Sequence, residues 1–524
     1  MAKVLIADKL SAKAARIFTA RGIEADVRTD LTPEQFAAVI GDYDGLAVRS
    51  STQVTADVMA HAKRLKIVGR AGIGVDNIDV PAATARGIVV MNTPHGNSVT
   101  TAEHALALLF ALARQIPSAD RSTQAGKWEK SRFMGVELTG KTLGVIGCGN
   151  IGSIVADRAQ GLKMKVIGYD PYLSPERAAV LGIEAVALED LFKRADFITL
   201  HVPLTDSTRG IIGAKSIALM KPGVRIINCA RGGLVVEDEL KAALDDGRVA
   251  GAALDVFSVE PAKSNSLFGH ANVVATPHLG ASTAEAQENV AVQIAEQMSD
   301  FLLTGAVTSA VNMPSVSAED AVKLRPYMTL AGQVGGLVGQ LVQSGLKSAT
   351  VEYAGYVAEL NTRPLTAMLL QGLLTPLLDA VNMVNAPVIA RSRGIEVKEV
   401  VRDQDENYQT LVSLTVETAD GRQSVAGTLF GGRPRIVRIE DIPVEAEVMP
   451  HMVYIRNQDT PGTIGRIGSL LGETGVNIAT FNLGRQSKGG GALALLGVDE
   501  RMSDEALARL RSLPGIVQVS LLSF

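Results

Sequence analysis

Four side chains between positions 231 and 278 are of the types that a proton-coupled redox step on a small carboxylic acid needs. Arg231 follows the apolar run VRIINCA, Asp255 sits in AALDVF, Glu260 lies just beyond it, and His278 follows NVVATP. An imidazole titrates near pH 6.5, at about the working pH. His278 can therefore take the proton that leaves a hydroxyl as hydride departs. Glu260 beside it would orient the ring and favour imidazolium by charge attraction. Arg231 can clamp a substrate carboxylate and polarise the adjacent carbonyl. Singly, these residues also fit a loop histidine, a structural ion pair and a solvated or helix-capping acid. Together they stand at or just past the carboxyl ends of predicted parallel strands, where open α/β sheets keep their ligand crevice. That shared placement, taken with a glycine fingerprint earlier in the chain, points to hydride transfer between a 2-hydroxy acid and a nicotinamide cofactor.

The cofactor half is written in KTLGVIGCGNIGSIVADRAQGLKMKVIGYDPY, residues 141–172. A short apolar strand runs into Gly147, Gly149 and Gly152 in the spacing G-x-G-x-x-G, and an amphipathic helix and a second strand ending at Asp170 follow. Gly147 permits the tight turn, Gly149 lets backbone approach a pyrophosphate, and Gly152 lets helix and strand pack closely. The helix N-terminus offers free N–H groups and partial positive charge. Asp170 is placed to accept the ribose hydroxyls and repel a 2′-phosphate, and none of residues 171–176 is arginine, so the expected cofactor is NAD. Residues 72–77, GIGVDN, nearly repeat the fingerprint. Asn77 replaces the third glycine and the next strand ends in Asn92, so this loop is read as substrate-side.

The elements that position these groups belong to a chain of 524 residues, long enough for three or four domains. Hydrophobic residues make up 47% and charged ones 20%, as in globular domains with full cores. A net charge of −4 gives no basic field for nucleic acid or an anionic membrane. The N-terminal MAKVLIADKL reads as a first strand rather than a signal peptide, and no stretch of about 20 apolar residues suggests a membrane span. Two cysteines, Cys148 and Cys229, make no disulfide framework, and no His or Cys spacing suggests a metal site. A reducing cytoplasm is expected.

Strands are expected at 4–7, 45–49, 65–71 and 88–92, then at 197–203, 224–233, 250–257 and 272–280, alternating with helical patterns as in parallel sheets. Long helices are expected over 98–116 and 282–303. Trp128, the only tryptophan, suits packing or an oligomer contact. Beyond Pro314 the pattern changes. Residues 318–346 are helical with many glycines, 365–381 are helical, and strands are expected at 349–357, 410–421, 422–432 and 434–444. Residues 451–524 read strand, helix, strand, strand, helix, strand, the order of a ferredoxin-like sandwich.

The segments ARGGLVVEDEL, ALDVFSVEP, TPHLGASTAEAQ, GCGNIG and YDPY resemble the D-isomer-specific 2-hydroxyacid dehydrogenases. VRSSTQVT, GRAGIGVDNID, NTPHGNSVTTAEHA and GKWEKSRFMGVELTGKT are similar, more narrowly, to the branch of that family that oxidises 3-phosphoglycerate on the way to L-serine. The resemblance covers the first 312 residues nearly throughout. It implies an α/β fold with Rossmann-type doubly wound parallel sheets in two N-terminal domains, then an α+β intervening domain and a ferredoxin-like ACT domain. The implied boundaries are 1–97 plus 287–312 for a discontinuous substrate domain, 98–286 for the NAD domain, 317–447 and 451–524. Arg231, Glu260 and His278 are the implied active-site residues. NAD contacts are implied at Ile73, Asn150, Ile151, Asp170, Val202, Cys229, Ala230, Asp255 and from His278 through Leu279, Gly280 and Ala281. Arg49, Ser50, Gly72 and Asn97 match substrate-loop positions. Arg49, Arg70, Lys130 and Arg132 are cationic candidates for a substrate phosphate. Reduction of glyoxylate or hydroxypyruvate on the same fold, which needs no phosphate site, and a nucleotide-sensing interaction protein that shares the dehydrogenase core are the competing expectations.

The likeness to ACT domains implies pairing with a copy from another subunit and an amino-acid effector at the junction, with L-serine, the end product, as the candidate. Asn457, Asp459 and Asn477 are its expected ligands, and a homotetramer is the expected assembly.

Overall fold

Val4, Leu5 and Ile6 are apolar on consecutive positions, and all three are buried. This is how a parallel strand covered on both faces reads. The computed structural model describes residues 1–524 apart from 317, 343, 379 and 406 and the side chains of 318 and 319. Position 317, the expected start of the third domain, and positions 343 and 379, inside expected helices, thus lie outside the described residues.

Strands β1 (Lys3–Ile6), β2 (Glu24–Val27), β3 (Gly45–Val48), β4 (Ile67–Arg70) and β5 (Val89–Met91) form a parallel sheet in the order β2-β1-β3-β4-β5. The edge strand β2, EADV, has no apolar run for sequence reading to find. It is held by Tyr43, whose hydroxyl donates to Asp26, and by Lys3 paired with Glu24 and Asp26. The helix Ala284–Thr304, distant in sequence, buries Val290, Ile294 and Met298 against Val4, Ile67 and Met91 of this sheet.

The second sheet contains β6 (Thr142–Ile146), β7 (Lys165–Tyr169), β8 (Glu184–Ala185), β9 (Phe197–Leu200), β10 (Val224–Asn228), β11 (Val249–Leu254) and β12 (Val273–Ala275), all parallel. Its order is β12-β11-β10-β9-β6-β7-β8. From β6 the strands are added one way, to β7 and β8, and then the other way, from β9 to β12, and that switch point between β6 and β9 opens a crevice at the carboxyl ends. The helix Ser98–Arg114 leads into this sheet. It ends two residues earlier than expected because Gln115 adopts a left-handed conformation (φ 52°), and Pro117 lies in the first turn of a second helix, Ile116–Gln124. Trp128, further on, is 87% exposed, so it does not pack within its own chain.

The third sheet is mixed, in the order β14-β13-β15-β16-β17-β18, with strands β13 (Leu346–Gly355), β14 (Glu396–Arg402), β15 (Thr410–Thr418), β16 (Gly421–Phe430), β17 (Arg433–Ile439) and β18 (Ile442–Ala446). The expected single strand 434–444 is two, joined by a turn in which Glu440 has φ 53°. No glycine marks that turn. The charged edge strand β14, EVKEVVR, also gave no alternation to read. The helix expected over 365–381 runs only from Arg363 to Leu374, and a further one, Ala386–Ser392, was not expected. The glycines of the helix Ala318–Leu341 have a packing purpose. A Cβ on Gly335 would lie 2.1 Å from the Leu369 carbonyl oxygen, so this helix lies backbone-close to Arg363–Leu374.

The last sheet is antiparallel, in the order β20-β21-β19-β22, from β19 (His451–Gln458), β20 (Ile478–Arg485), β21 (Gly491–Val498) and β22 (Ile516–Ser523). Its helices Thr463–Glu473 and Asp504–Arg511 share one core with it. From its other face, Met452, Tyr454, Leu493, Leu495 and Leu522 share a core with Val425, Ile439 and Ile442 of the third sheet. Among the described residues no helix is long and apolar enough to cross a membrane.

Candidate active site

The turn after β6 behaves as the glycine spacing requires. Gly147 has φ +91°, and a Cβ there would lie 2.5 Å from the His201 carbonyl oxygen. A Cβ on Gly152 would lie 1.9 Å from the Gly147 carbonyl oxygen. Nothing lies within 4 Å of a Cβ built on Gly149, so the backbone is open there to an approaching group. Gly149 also begins the helix Asn150–Gly161 with no side-chain cap, which leaves its first N–H groups for an anion. Asp170, just past β7, accepts from the Cys148 N–H at 2.9 Å and the Tyr172 N–H at 2.8 Å, which fixes its carboxylate beside the glycine turn. Val202 lies against Gly147. The Ala230 N–H donates to Asn228, and Ile73 offers its carbonyl to the Asn92 amide. Cys148 and Cys229 are free and buried; burial, then Asp170, pushes the Cys148 thiol up to about 12, and burial, then Asp255, raises Cys229 as well. An open glycine turn, an uncapped helix and a fixed carboxylate suit a dinucleotide's pyrophosphate and ribose.

At the mouth of β10–β12, His278 Nδ1 lies 2.6 Å from Glu260 Oε2. The other Glu260 oxygen accepts the Phe257 N–H at 3.0 Å. The hydrogen bond to Glu260 holds His278 above its ordinary range, against the opposing effect of burial. Burial alone would raise Glu260, but the bonds from His278 and Phe257 keep it below its ordinary range. With Nδ1 committed, Nε2 is the nitrogen left to exchange a proton. His278 itself has φ 55°.

Arg231 reaches from the end of β10 to the first sheet, where its Nε donates to Asp76 at 3.0 Å. A Cβ on Gly74 would lie 1.9 Å from Arg231 Nη2, so the guanidinium lies directly on this loop and a larger residue there would displace it. Arg70 lies under the same loop, its Nη1 donating to the Ala71 carbonyl at 3.0 Å. Burial, then the nearby Arg231 and Arg49, brings the Arg70 guanidinium down to about 10. Its Nε and the Oδ1 of Asn97 are buried without hydrogen-bond partners. Asn77, at the position where a nucleotide loop carries glycine, donates instead to the carbonyls of Arg49 and Thr52, both at 2.7 Å. The loop thus ties the arginines together. Arg132 is engaged elsewhere, by Glu129 at 3.0 Å. Sequence reading gave no role to Asp76 or His104; both contact site residues only through the tertiary fold.

Asp255 is fully buried, and its carboxylate accepts from Thr276 Oγ1 at 2.6 Å, the Leu279 N–H at 2.7 Å and the Gly280 N–H at 2.8 Å. It organises the loop that carries His278. In the last domain Asn457 and Asp459 lie at one end of the sheet and Asn477, bonded to Asp499, at the other. Asp459 accepts from the Gly489 N–H at 3.1 Å and from Arg485, and the following helix starts at Gly462 with no side-chain cap. Among the described residues no group of three or more His, Cys, Asp or Glu is arranged to hold a metal ion.

A parallel dinucleotide-type sheet whose mouth pairs a histidine with a glutamate and faces an arginine defines the class of D-isomer-specific 2-hydroxyacid dehydrogenases. Residues 106–280 match the NAD binding domain of that family, 323–440 the D-3-phosphoglycerate dehydrogenase intervening domain, and 451–515 the ACT domain. The chain is 44% identical to D-3-phosphoglycerate dehydrogenase of Synechocystis sp., over 98% of this chain and 94% of that one. It is 43% identical to D-3-phosphoglycerate dehydrogenase of Methanocaldococcus jannaschii, over 100% of both chains. A D-lactate dehydrogenase from Aquifex aeolicus, solved with NAD and lactic acid, matches in outline: it is 26% identical with a TM-score of 0.52, over 60% of this chain and 100% of that one. The chain belongs to the D-3-phosphoglycerate dehydrogenase family.

Proposed function

We infer that this chain catalyses the NAD-dependent oxidation of D-3-phosphoglycerate to 3-phosphohydroxypyruvate, the first step of the phosphorylated route to L-serine. The observation that carries the substrate is the arginine cluster: Arg49, Arg70 and Arg231 gather around one glycine loop, and Arg70 is depressed by burial and by the other two. Guanidiniums that repel one another accept an anion of more than one charge, and 3-phosphoglycerate brings a carboxylate and a phosphate.

In this reading Arg231 binds the carboxylate and polarises C2. Arg49 and Arg70, with Ser50, Gly72 and Asn97, hold the rest of the substrate. His278 takes the C2 hydroxyl proton on Nε2, and Glu260 holds the ring through Nδ1 and stabilises the imidazolium that forms. The glycine turn, Asn150, Ile151 and Asp170 hold NAD, with Ile73, Val202, Cys229, Ala230, Asp255 and residues 279–281 lining its nicotinamide side. Bound NAD supplies the hydride acceptor. Residues 1–97 with 287–312 form the substrate domain and 98–286 the NAD domain, and closure of one on the other would exclude water from the mouth. The enzyme works in the cytoplasm as an allosteric homotetramer in which L-serine bridges ACT domains; the exposed Trp128 supports a contact between copies.

NADH formation with D-3-phosphoglycerate and with D-glycerate, for the wild type and Arg70→Gln, tests the assignment. The wild type is expected to prefer the phosphorylated acid strongly, and Arg70→Gln to lose mainly that preference. Equal kcat/KM for both acids in the wild type would overturn the substrate.

A further inference from the structure

The loop that carries His278 is held from below by a helix to which no site role has yet been given. Asp255 takes a bond from each N–H from His278 to Gly280: its carbonyl accepts that of His278 at 2.9 Å, shared with the Thr276 carbonyl at 3.0 Å, and its carboxylate accepts those of Leu279 and Gly280. Two side chains of the helix Ser98–Arg114 complete this grip. His104 Nε2 lies 3.2 Å from Asp255 Oδ1 and 3.3 Å from Thr276 Oγ1. Thr101 Oγ1 shares its proton between the Gly280 carbonyl and the Asn97 carbonyl of its own helix, each at 3.0 Å. Positions 101 and 104 are three apart, so both side chains project from one helix face. The same helix begins at Asn97, one of the substrate-side residues.

We propose that His104 and Thr101 are positioning residues for the proton-transferring His278, acting through Asp255 and Gly280, so that one helix sets the base against the substrate loop. A fully buried carboxylate is stable only when donors surround it. His104 supplies one of those donors, and it comes from a different element than the loop being held. Without it Asp255 keeps its bonds to the loop but loses its tie to the helix, and the loop can shift as a unit. His278 sits in a left-handed conformation, which a non-glycine residue keeps only while its surroundings enforce it. A shift of about 1 Å at a reacting group can cost on the order of 100-fold in rate.

This inference rests on His278 being the base, and the experiment separates the two. Single-turnover NADH formation from D-3-phosphoglycerate is measured for His278→Ala, His104→Leu, His104→Gln and Thr101→Val, with NAD binding followed by fluorescence titration. His104→Leu is expected to slow the step about 10- to 100-fold and to weaken NAD binding far less, since the pyrophosphate and ribose contacts lie on another loop, and His104→Gln, which restores an N–H donor, to recover most of the rate. Thr101→Val, which keeps the shape and removes the hydroxyl, is expected to slow it as well, so the proposal remains testable if His104→Leu fails to fold. A slow His278→Ala beside wild-type rates in His104→Leu and Thr101→Val would overturn the positioning role alone. Recovery failing in a folded His104→Gln would do the same. A wild-type rate in His278→Ala would overturn the base itself.

Discussion

His278 Nδ1 and Glu260 Oε2 lie 2.6 Å apart, with the second glutamate oxygen fixed by the Phe257 N–H. The pair makes the histidine more basic, and the direction of that shift sets the pH dependence. With His278 as the proposed base, oxidation needs it neutral, so activity is expected to fall as pH drops through its pKa, and a raised pKa places this fall at higher pH. Glu260→Gln keeps a hydrogen-bond acceptor but removes the charge. The acid limb of kcat/KM for oxidation is expected to move to lower pH, with NAD affinity unchanged. An identical profile in both proteins would break the pairing.

Asp170 ends the second strand of the nucleotide unit with its carboxylate fixed by the N–H groups of Cys148 and Tyr172. A carboxylate there accepts ribose hydroxyls and repels a 2′-phosphate. Asp170→Ala is expected to lower kcat/KM for NAD about tenfold, one charge-assisted hydrogen bond at roughly 1.5 kcal/mol or more, and to affect NADP less or favourably. The ratio of the two kcat/KM values is the measurement. A ratio that does not move would show that Asp170 is away from the ribose.

Legibility in the sequence followed from how local each feature is. The glycine turn was readable because its spacing is local: Gly147 takes a positive φ and Gly152 packs against the Gly147 carbonyl, although the contact that excludes a Cβ from Gly147 comes from the distant His201. Buried parallel strands were readable as apolar runs, whereas β2 and β14, charged edge strands, were not. The turn at Glu440 and the break at Gln115 put non-glycine residues at positive φ, so no residue type announced them. The strand-end rule brought Arg231, Glu260 and His278 to one mouth without coordinates. It could not reach Asp76 or His104, whose partners Arg231 and Asp255 are 155 and 151 positions away along the chain.

Gly87 follows the helix Val80–Ala85 with φ +71°, and its carbonyl accepts from Asn382 Nδ2 at 3.1 Å. Asn385 reaches the Ala85 carbonyl, and Val384 is buried in the core of the first sheet. The C-terminal half is thereby docked on the first domain. A Cβ on Gly87 would lie 1.7 Å from Asn382 Nδ2. Gly87→Ala is expected to cost about 1–2 kcal/mol in left-handed backbone strain and to break this docking. Limited proteolysis should then cut faster around residues 375–385. Unchanged protease resistance would show that the contact does not hold the halves together.

Asn457 and Asp459 stand at the end of β19, while Asn477 precedes β20. Through their common neighbour β21 the two sites are far apart: Asn457 pairs with Ala492 and Ile478 with Val498. Six residues of extended strand span roughly 20 Å, too far for one amino acid to touch both ends. If L-serine is the effector, Asn457 and Asp459 of one copy must meet Asn477 of another. Donors and acceptors are in place for it: Asp459 can accept from the ammonium group, and the two asparagines can donate to the carboxylate. Asp459 is already bonded to Gly489 and Arg485, so binding would draw on the turn after β20 as well. A bound ligand shifts activity only if it favours one arrangement over another. We expect calorimetry with millimolar L-serine to show binding to the wild type, and Asp459→Ala and Asn477→Ala each to abolish it. An equimolar mixture of the two variants, unfolded and reassembled together, should recover part of the binding, because some junctions would then pair an intact Asp459 with an intact Asn477. Binding lost in each variant and not recovered in the mixture would place both residues in one copy's site. No heat with the wild type would remove L-serine as the effector.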